Sequence, residues 1–305
     1  MLVLKRATIA GLLLTMTGTV SAQARVEKNV VYGMYSGLAL LMDVHYPEQP
    51  NGYGIVFING SGYHMPLSLD APQLKDRTGN LQPLVSAGYT VFSINHRAAP
   101  RFRHPSAIED GQRAVRFVRH NADQFGIDPE RIGAAGGSSG GHLALMLGVL
   151  DGTGKGSSPV DQESSKVQTV AVLFPATDLV AFAAGREGAI DAVASFMGVL
   201  IPPGVPPADR EALYGEEFSV FRDASPIGSV SPDDPPFLLI HGDADQVVPF
   251  EQSEIFVEKL KETGVTGELI RVPGGGHGGR LMQGPNPPDV GSSMVGWFDR
   301  YLQAK

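Results

Sequence analysis

The chain is 305 residues long, 42% hydrophobic and 18% charged, with a net charge of −8 and no cysteine. That length and apolar content suffice for a sizeable core without covalent staples, and the acidic balance argues against nucleic acid or an anionic membrane surface as a partner. Without cysteine there is no disulfide framework, no thiol nucleophile and no cysteine metal site.

Residues 1–24 read as a secretory leader. Lys5 and Arg6 give a positive start, Ala7 to Val20 is apolar or small, and Ala22-Gln23-Ala24 offers small residues at cleavage spacing. The apolar run is too short and too rich in Thr and Gly to span a bilayer comfortably, so stable membrane insertion is not expected. The mature chain would begin at Arg25 and be secreted or periplasmic. Residues 25–50 are rich in strand formers with partial alternation, which predicts two or three antiparallel strands at a sheet edge. Gly54 to Ile58 is a continuous apolar run of the kind found in buried central strands. It stops at Asn59-Gly60-Ser61-Gly62-Tyr63-His64, a glycine-rich loop that would lift backbone N–H groups above the sheet's carboxyl edge, where open α/β sheets bind ligands. Tyr63 and His64 are candidates for substrate contact.

Leu81 to Ala87 predicts a short helix, Tyr89 to Asn95 a strand, and Pro105 to Asn121 a helix. In that helix Ala107, Ile108, Gly111, Ala114, Val115 and Val118 form the inner face, with Glu109, Asp110, Arg113 and Arg116 expected on or near solvent. The apolar Ile132-Gly133-Ala134-Ala135 leads into Gly136-Gly137-Ser138-Ser139-Gly140-Gly141-His142, and the helix-like Leu143 to Leu147 leads out. A strand, a very tight turn and a helix are thereby predicted, with a serine at the tip. Small flanking residues allow the close approach, and free N–H groups at the helix start favour negative charge. Gly-x-Ser-x-Gly fits twice, around Ser138 and around Ser139. Ser138 is preferred because it lies nearer the strand and leaves Ser139 to open the helix. A phosphate loop would need Lys where His142 stands.

Gly152 to Ser165 is a polar loop without assignable chemistry. Val170 to Phe174 reads as a further buried strand, and residues 180–228 as an irregular insertion that could wall a pocket. Strands are predicted at Phe237 to Ile240 and Glu268 to Val272, and helices at Glu251 to Thr263 and Ser292 to Leu302. Strands alternating with helices, with no repeat and no clear linker, indicate one α/β domain over residues 25–305, built on a mostly parallel sheet of about eight strands covered on both faces.

A serine hydroxyl needs an adjacent base, and the base needs an anion to orient it. Asp245 follows one late strand and His277 sits in Gly274-Gly275-Gly276-His277-Gly278-Gly279 after the last, so both loops leave the same sheet edge as Ser138. The order Ser138, Asp245, His277 suits this architecture. Asp243 is the rival acid, although it more naturally caps the turn. His45, His96, His104, His120, His142 and His241 are read as structural. The N–H groups of Ser139, Ser61 and Gly62 are the candidate oxyanion donors.

Several stretches together resemble the α/β-hydrolases, and within them the esterase/lipase branch of bacterial acetylxylan and feruloyl esterases of the BD-FAE type. They are Asn95 to Pro100, Glu109-Asp110, Asn121-Ala122, Gly126 to Ile132, Gly136 to Ala144, Ala224 to Ile227, Asp234 to Pro236 and His241 to Pro249. The resemblance implies the α/β-hydrolase fold with a small cap or none, and places nucleophile, acid and base at Ser138, Asp245 and His277. It implies no metal and no organic cofactor. Two departures stand out. Asn59-Gly60-Ser61-Gly62 replaces the usual His-Gly-Gly-Gly, and Ser139 replaces the frequent Ala after the nucleophile. The expected function is a secreted serine carboxylesterase acting on short-chain or aromatic esters, such as acetylated or feruloylated polysaccharide fragments. The rivals are a peptidase or amidase of the same fold, a polyester or lipid esterase, and a non-catalytic binding protein.

Overall fold

The computed structural model describes residues 25–64, 72–76, 79–150, 152, 154, 156–185, 193–198 and 219–303. The expected leader lies outside these residues, as does most of the 180–228 insertion. The apolar runs form the strands β3 (Gly54–Ile58), β4 (Thr90–Ile94), β5 (Ile132–Gly137), β6 (Val170–Leu173) and β7 (Phe237–Gly242), each buried along its whole length. Continuous burial is what a sheet covered on both faces demands. β1 (Arg25–Tyr35) and β2 (Leu38–Tyr46), partly exposed, form the antiparallel edge, and β2 also pairs antiparallel with β4. β8 (Gly267–Val272) closes the other edge in parallel with β7.

The eight strands run in the order β1-β2-β4-β3-β5-β6-β7-β8. β3 is parallel to both neighbours, with Val56 opposite Phe92 on one side and Ala134 on the other. The chain therefore moves outward from β3 to β4, then crosses back to β5. The loops after β3 and β5 leave the sheet at this reversal, where open parallel sheets form their ligand crevice. The former is the Asn59–Gly62 loop and the latter the serine turn.

One face of the sheet is covered by α2 (Ser106–His120), α4 (Ser139–Val149) and α6 (Glu251–Thr263). The other is covered by α1 (Leu81–Ser86) and α7 (Val290–Leu302). Two further short helices are α3 (Ala122–Phe125) and α5 (Leu179–Gly185). α7 begins two residues before the expected Ser292, because the Asp289 side chain accepts the Ser292 N–H at 2.9 Å and caps it. Among the described residues no helix is long and apolar enough to cross a membrane.

The expected solvent face of α2 needs correction at two positions. Asp110 is 2% exposed and Arg116 5%. The Asp110 carboxylate accepts from the Arg97 N–H at 2.7 Å and from Arg97 Nε at 2.9 Å, while Arg97 also reaches Glu109 at 3.1 Å. Arg116 donates to the carbonyl of Gly152 and, at 3.4 Å, to Ser165 Oγ. A buried charge persists where a partner meets it, and here each partner comes from a loop outside the helix.

Candidate active site

Ser138 stands between β5 and α4 with φ 55° and ψ −128°, a strained conformation for a residue with a side chain. The glycines show which of the two motif frames forms the turn. A Cβ on Gly136 would lie 2.5 Å from the carbonyl oxygen of Gly140 and 2.6 Å from that of Ile58, and one on Gly140 would lie 2.1 Å from the Ile58 oxygen. Gly137 and Gly141 are less crowded, at 3.3 Å from the Phe174 ring and 3.2 Å from the Leu173 oxygen. Backbone therefore touches backbone at positions 136 and 140, the frame centred on Ser138. Ser139 already belongs to the helix.

His277 reaches Ser138 from the far side. Its Nε2 lies 2.9 Å from Ser138 Oγ, and its Nδ1 lies 2.6 Å from Asp245 Oδ2. With the Nδ1 proton on the carboxylate side, Nε2 is left to accept the Ser138 hydroxyl. The loop carrying His277 lies directly on the end of β7: a Cβ on Gly242 would meet the Gly275 oxygen at 2.1 Å. Asp245 is held on its other oxygen, where Oδ1 accepts the N–H groups of Val247 at 2.7 Å and Val248 at 3.0 Å. Burial alone would push this carboxyl up. Hydrogen bonds from His241 and His277, the charge of His277 and the Val247 N–H outweigh it and hold Asp245 well below the usual carboxylate range. The rival Asp243 is occupied elsewhere, accepting the Gly274 N–H at 2.6 Å and Arg271 Nε at 2.8 Å.

The match to the BD-FAE family model covers residues 42–260, from β2 through most of α6. The chain belongs to the BD-FAE family. It is 34% identical over 206 residues to esterase LipC of Mycobacterium tuberculosis, a match covering 67% of this chain and 48% of LipC. It spans about half or less of the length of this and other curated relatives. A truncated carbohydrate esterase from gut microbiota superposes with a TM-score of 0.73 at 29% identity, covering 93% of this chain and 99% of that one. An acetyl ester-xyloside bifunctional hydrolase from Caldicellulosiruptor lactoaceticus does so with a TM-score of 0.68 at 27% identity, covering 86% and 87%.

In this BD-FAE member the cleft over Ser138 has a volume of about 420 Å³, and Phe57, Phe174 and Val247 form its apolar wall. Gly60, Ser61 and Gly62 form the opposite rim. The Asn59 side chain anchors that rim, donating to the Gln73 carbonyl at 2.8 Å and Ser93 Oγ at 3.1 Å. Of the expected donors, the Ser61 N–H already has a partner, Ser139 Oγ at 2.9 Å. Tyr63, expected as a substrate contact, does not line the cleft. It is 4% exposed, stacked on Phe196 at 4.2 Å and set edge-on to His142 at 5.3 Å, with a φ of 61°. His64 is exposed and lies outside the cleft lining.

Phe174 was not singled out from sequence. Its φ is 39°, its N–H donates to the Ile240 carbonyl at 2.9 Å, and its ring lies 4.6 Å from that of His277. The only signal available was its place at the carboxyl end of a buried strand. His241 behaves as the structural histidine expected, bonded to Ser253 Oγ at 2.7 Å, yet it also comes within 3.4 Å of Asp245. Among the described residues no group of three or more His, Asp or Glu side chains could hold a metal ion.

Proposed function

We propose that this protein is a carboxylic-ester hydrolase working through Ser138, His277 and Asp245. The carrying observation is one imidazole within 2.9 Å of the serine hydroxyl and 2.6 Å of the carboxylate. Ser138 Oγ attacks the ester carbonyl while His277 takes its proton, and Asp245 stabilises the imidazolium. His277 then returns the proton to the leaving alcohol, and water repeats the cycle on the acyl-enzyme. The N–H groups of Ser139 and Gly62 are the donors we assign to the developing oxyanion.

For substrate we propose short-chain or aromatic esters on polysaccharide fragments. A cleft of about 420 Å³ with the apolar lining residues Phe57, Phe174 and Val247 suits a small acyl group, and the carbohydrate esterase and the acetyl ester-xyloside hydrolase are among the similar structures. Export through the leader at residues 1–24 would bring the enzyme to such material. N-terminal sequencing of protein recovered from the periplasm or medium should begin at Arg25.

The decisive test compares the parent chain with Ser138→Ala on p-nitrophenyl acetate, alongside an acetyl-to-feruloyl ester panel and an aminoacyl anilide. Turnover of acetate and feruloyl esters by the parent, its loss in the variant, and a single organophosphate adduct on Ser138 are expected. Faster cleavage of the anilide would make the protein an amidase, and an adduct on Ser139 would move the nucleophile.

A further inference from the structure

We propose that the side-chain hydroxyl of Ser139 is itself an oxyanion donor, and that Ser61 acts through Ser139 rather than on the substrate. This rests on the ester-hydrolase reading above. The Ser61 N–H, the β3-loop donor that would be aimed at substrate, is spent on Ser139 Oγ at 2.9 Å. The Ser61 hydroxyl is buried without a partner. Ser139, in contrast, opens α4, so its N–H has no acceptor within the helix. Its Oγ accepts from Ser61 and still carries a proton, for which no acceptor occurs among the described residues.

The two loops meet tightly beside this hydroxyl. A Cβ on Gly60 would lie 2.6 Å from the Gly137 oxygen and 3.0 Å from Ser138 Cβ, so the rim rests on the serine turn itself. The Ser61–Ser139 bond closes the same seam one residue further on. When Ser138 Oγ bonds to the carbonyl carbon, the carbonyl's π pair moves onto its oxygen, which turns toward the start of α4. There it meets the Ser139 N–H and, beside it, the Ser139 hydroxyl. An N–H pinned to the lone pair of a hydroxyl fixes its position and strengthens it as a donor. The serine that replaces alanine after the nucleophile thus restores the donor the β3 loop has given up.

The test uses the full chain, the Ser139→Ala variant, p-nitrophenyl acetate and trifluoroacetophenone. Ser138 adds to the ketone carbon of the inhibitor, leaving a bound oxyanion and a proton on His277. Ser139→Ala is expected to lower kcat about 10- to 100-fold with KM little changed, and to weaken trifluoroacetophenone by a similar factor. An unchanged or raised kcat would overturn the proposal, leaving the hydroxyl as a plug on the Ser61 N–H. So would a lower kcat with undiminished inhibitor affinity, which marks a structural role. A parent chain without esterase activity would overturn the underlying reading, and this inference with it. If near-UV circular dichroism shows Ser139→Ala unfolded, Ser139→Cys, whose thiol is a poor donor, is judged by the same criteria.

Discussion

Asp245 shows how closely one residue's surroundings can define its role. One carboxylate oxygen is held by two backbone N–H groups and the other faces the His277 ring, so the charge is retained despite burial. Replacing it by Asn removes the anion opposite the imidazolium and offers Nδ1 an amide in place of a carboxylate. Asp245→Asn should therefore lower kcat by about three to four orders of magnitude, whereas Asp243→Asn should lose far less, because Asp243 serves Gly274 and Arg271. Kinetics of both variants on an aryl acetate check this. Sequence order and loop placement put both acids at the catalytic edge, after the same strand, and only the turn-capping tendency of Asp243 favoured Asp245 between them. The direction of Tyr63 was not legible in the same way. Its positive φ is a product of the loop's packing on Phe196 and His142, contacts from segments 79 and 133 residues away.

At the scale of elements, the turn between β5 and α4 works because two glycines let three pieces of backbone touch. Gly140→Ala would drive a methyl group to 2.1 Å from the Ile58 oxygen, and neither β3 nor α4 can retreat without losing the site. That substitution should cost at least about 3 kcal/mol. Gly141→Ala, at 3.2 Å from the Leu173 oxygen, asks only for a small shift and should cost about 1 kcal/mol. Urea unfolding midpoints of the two variants would show the difference, and equal midpoints would mean that the elbow is not the constraint. Most elements were legible from period and composition, because buried parallel strands must be continuously apolar and α2 must carry one apolar stripe. The burial of Asp110 and Arg116 was not. Helical spacing assigns a face but cannot see that Arg97, before the helix, supplies the counter-charge that permits an inward carboxylate.

For the whole molecule, the histidines buried around the site set the response to acid. Burial lowers the pKa of His96, His104 and His142, that of His142 to about 4. The Nε2–H of His142 donates to the Ala224 carbonyl at 2.7 Å, tying α4 to the last residues of the 180–228 insertion, and its Nδ1 is buried without a partner. A proton on Nδ1 would place an uncompensated charge there. The unfolded chain takes up that proton near pH 6.5 and the folded one only near pH 4, so the folded state binds fewer protons throughout this interval and stability must fall as the pH falls. The loss from His142 alone is about 3 kcal/mol between pH 6.5 and 4. Asp245 contributes in the same sense but in a different window. Its depressed pKa stabilises the fold above the ordinary carboxylate range and gives that contribution up only below about pH 4. Unfolding free energies from urea titrations at intervals from pH 7 to 4 should therefore decline for the parent chain, and about 3 kcal/mol less steeply for His142→Gln, which keeps an N–H for Ala224 and cannot be protonated. Parallel curves for the two chains would mean that the ring is not the group that senses acid.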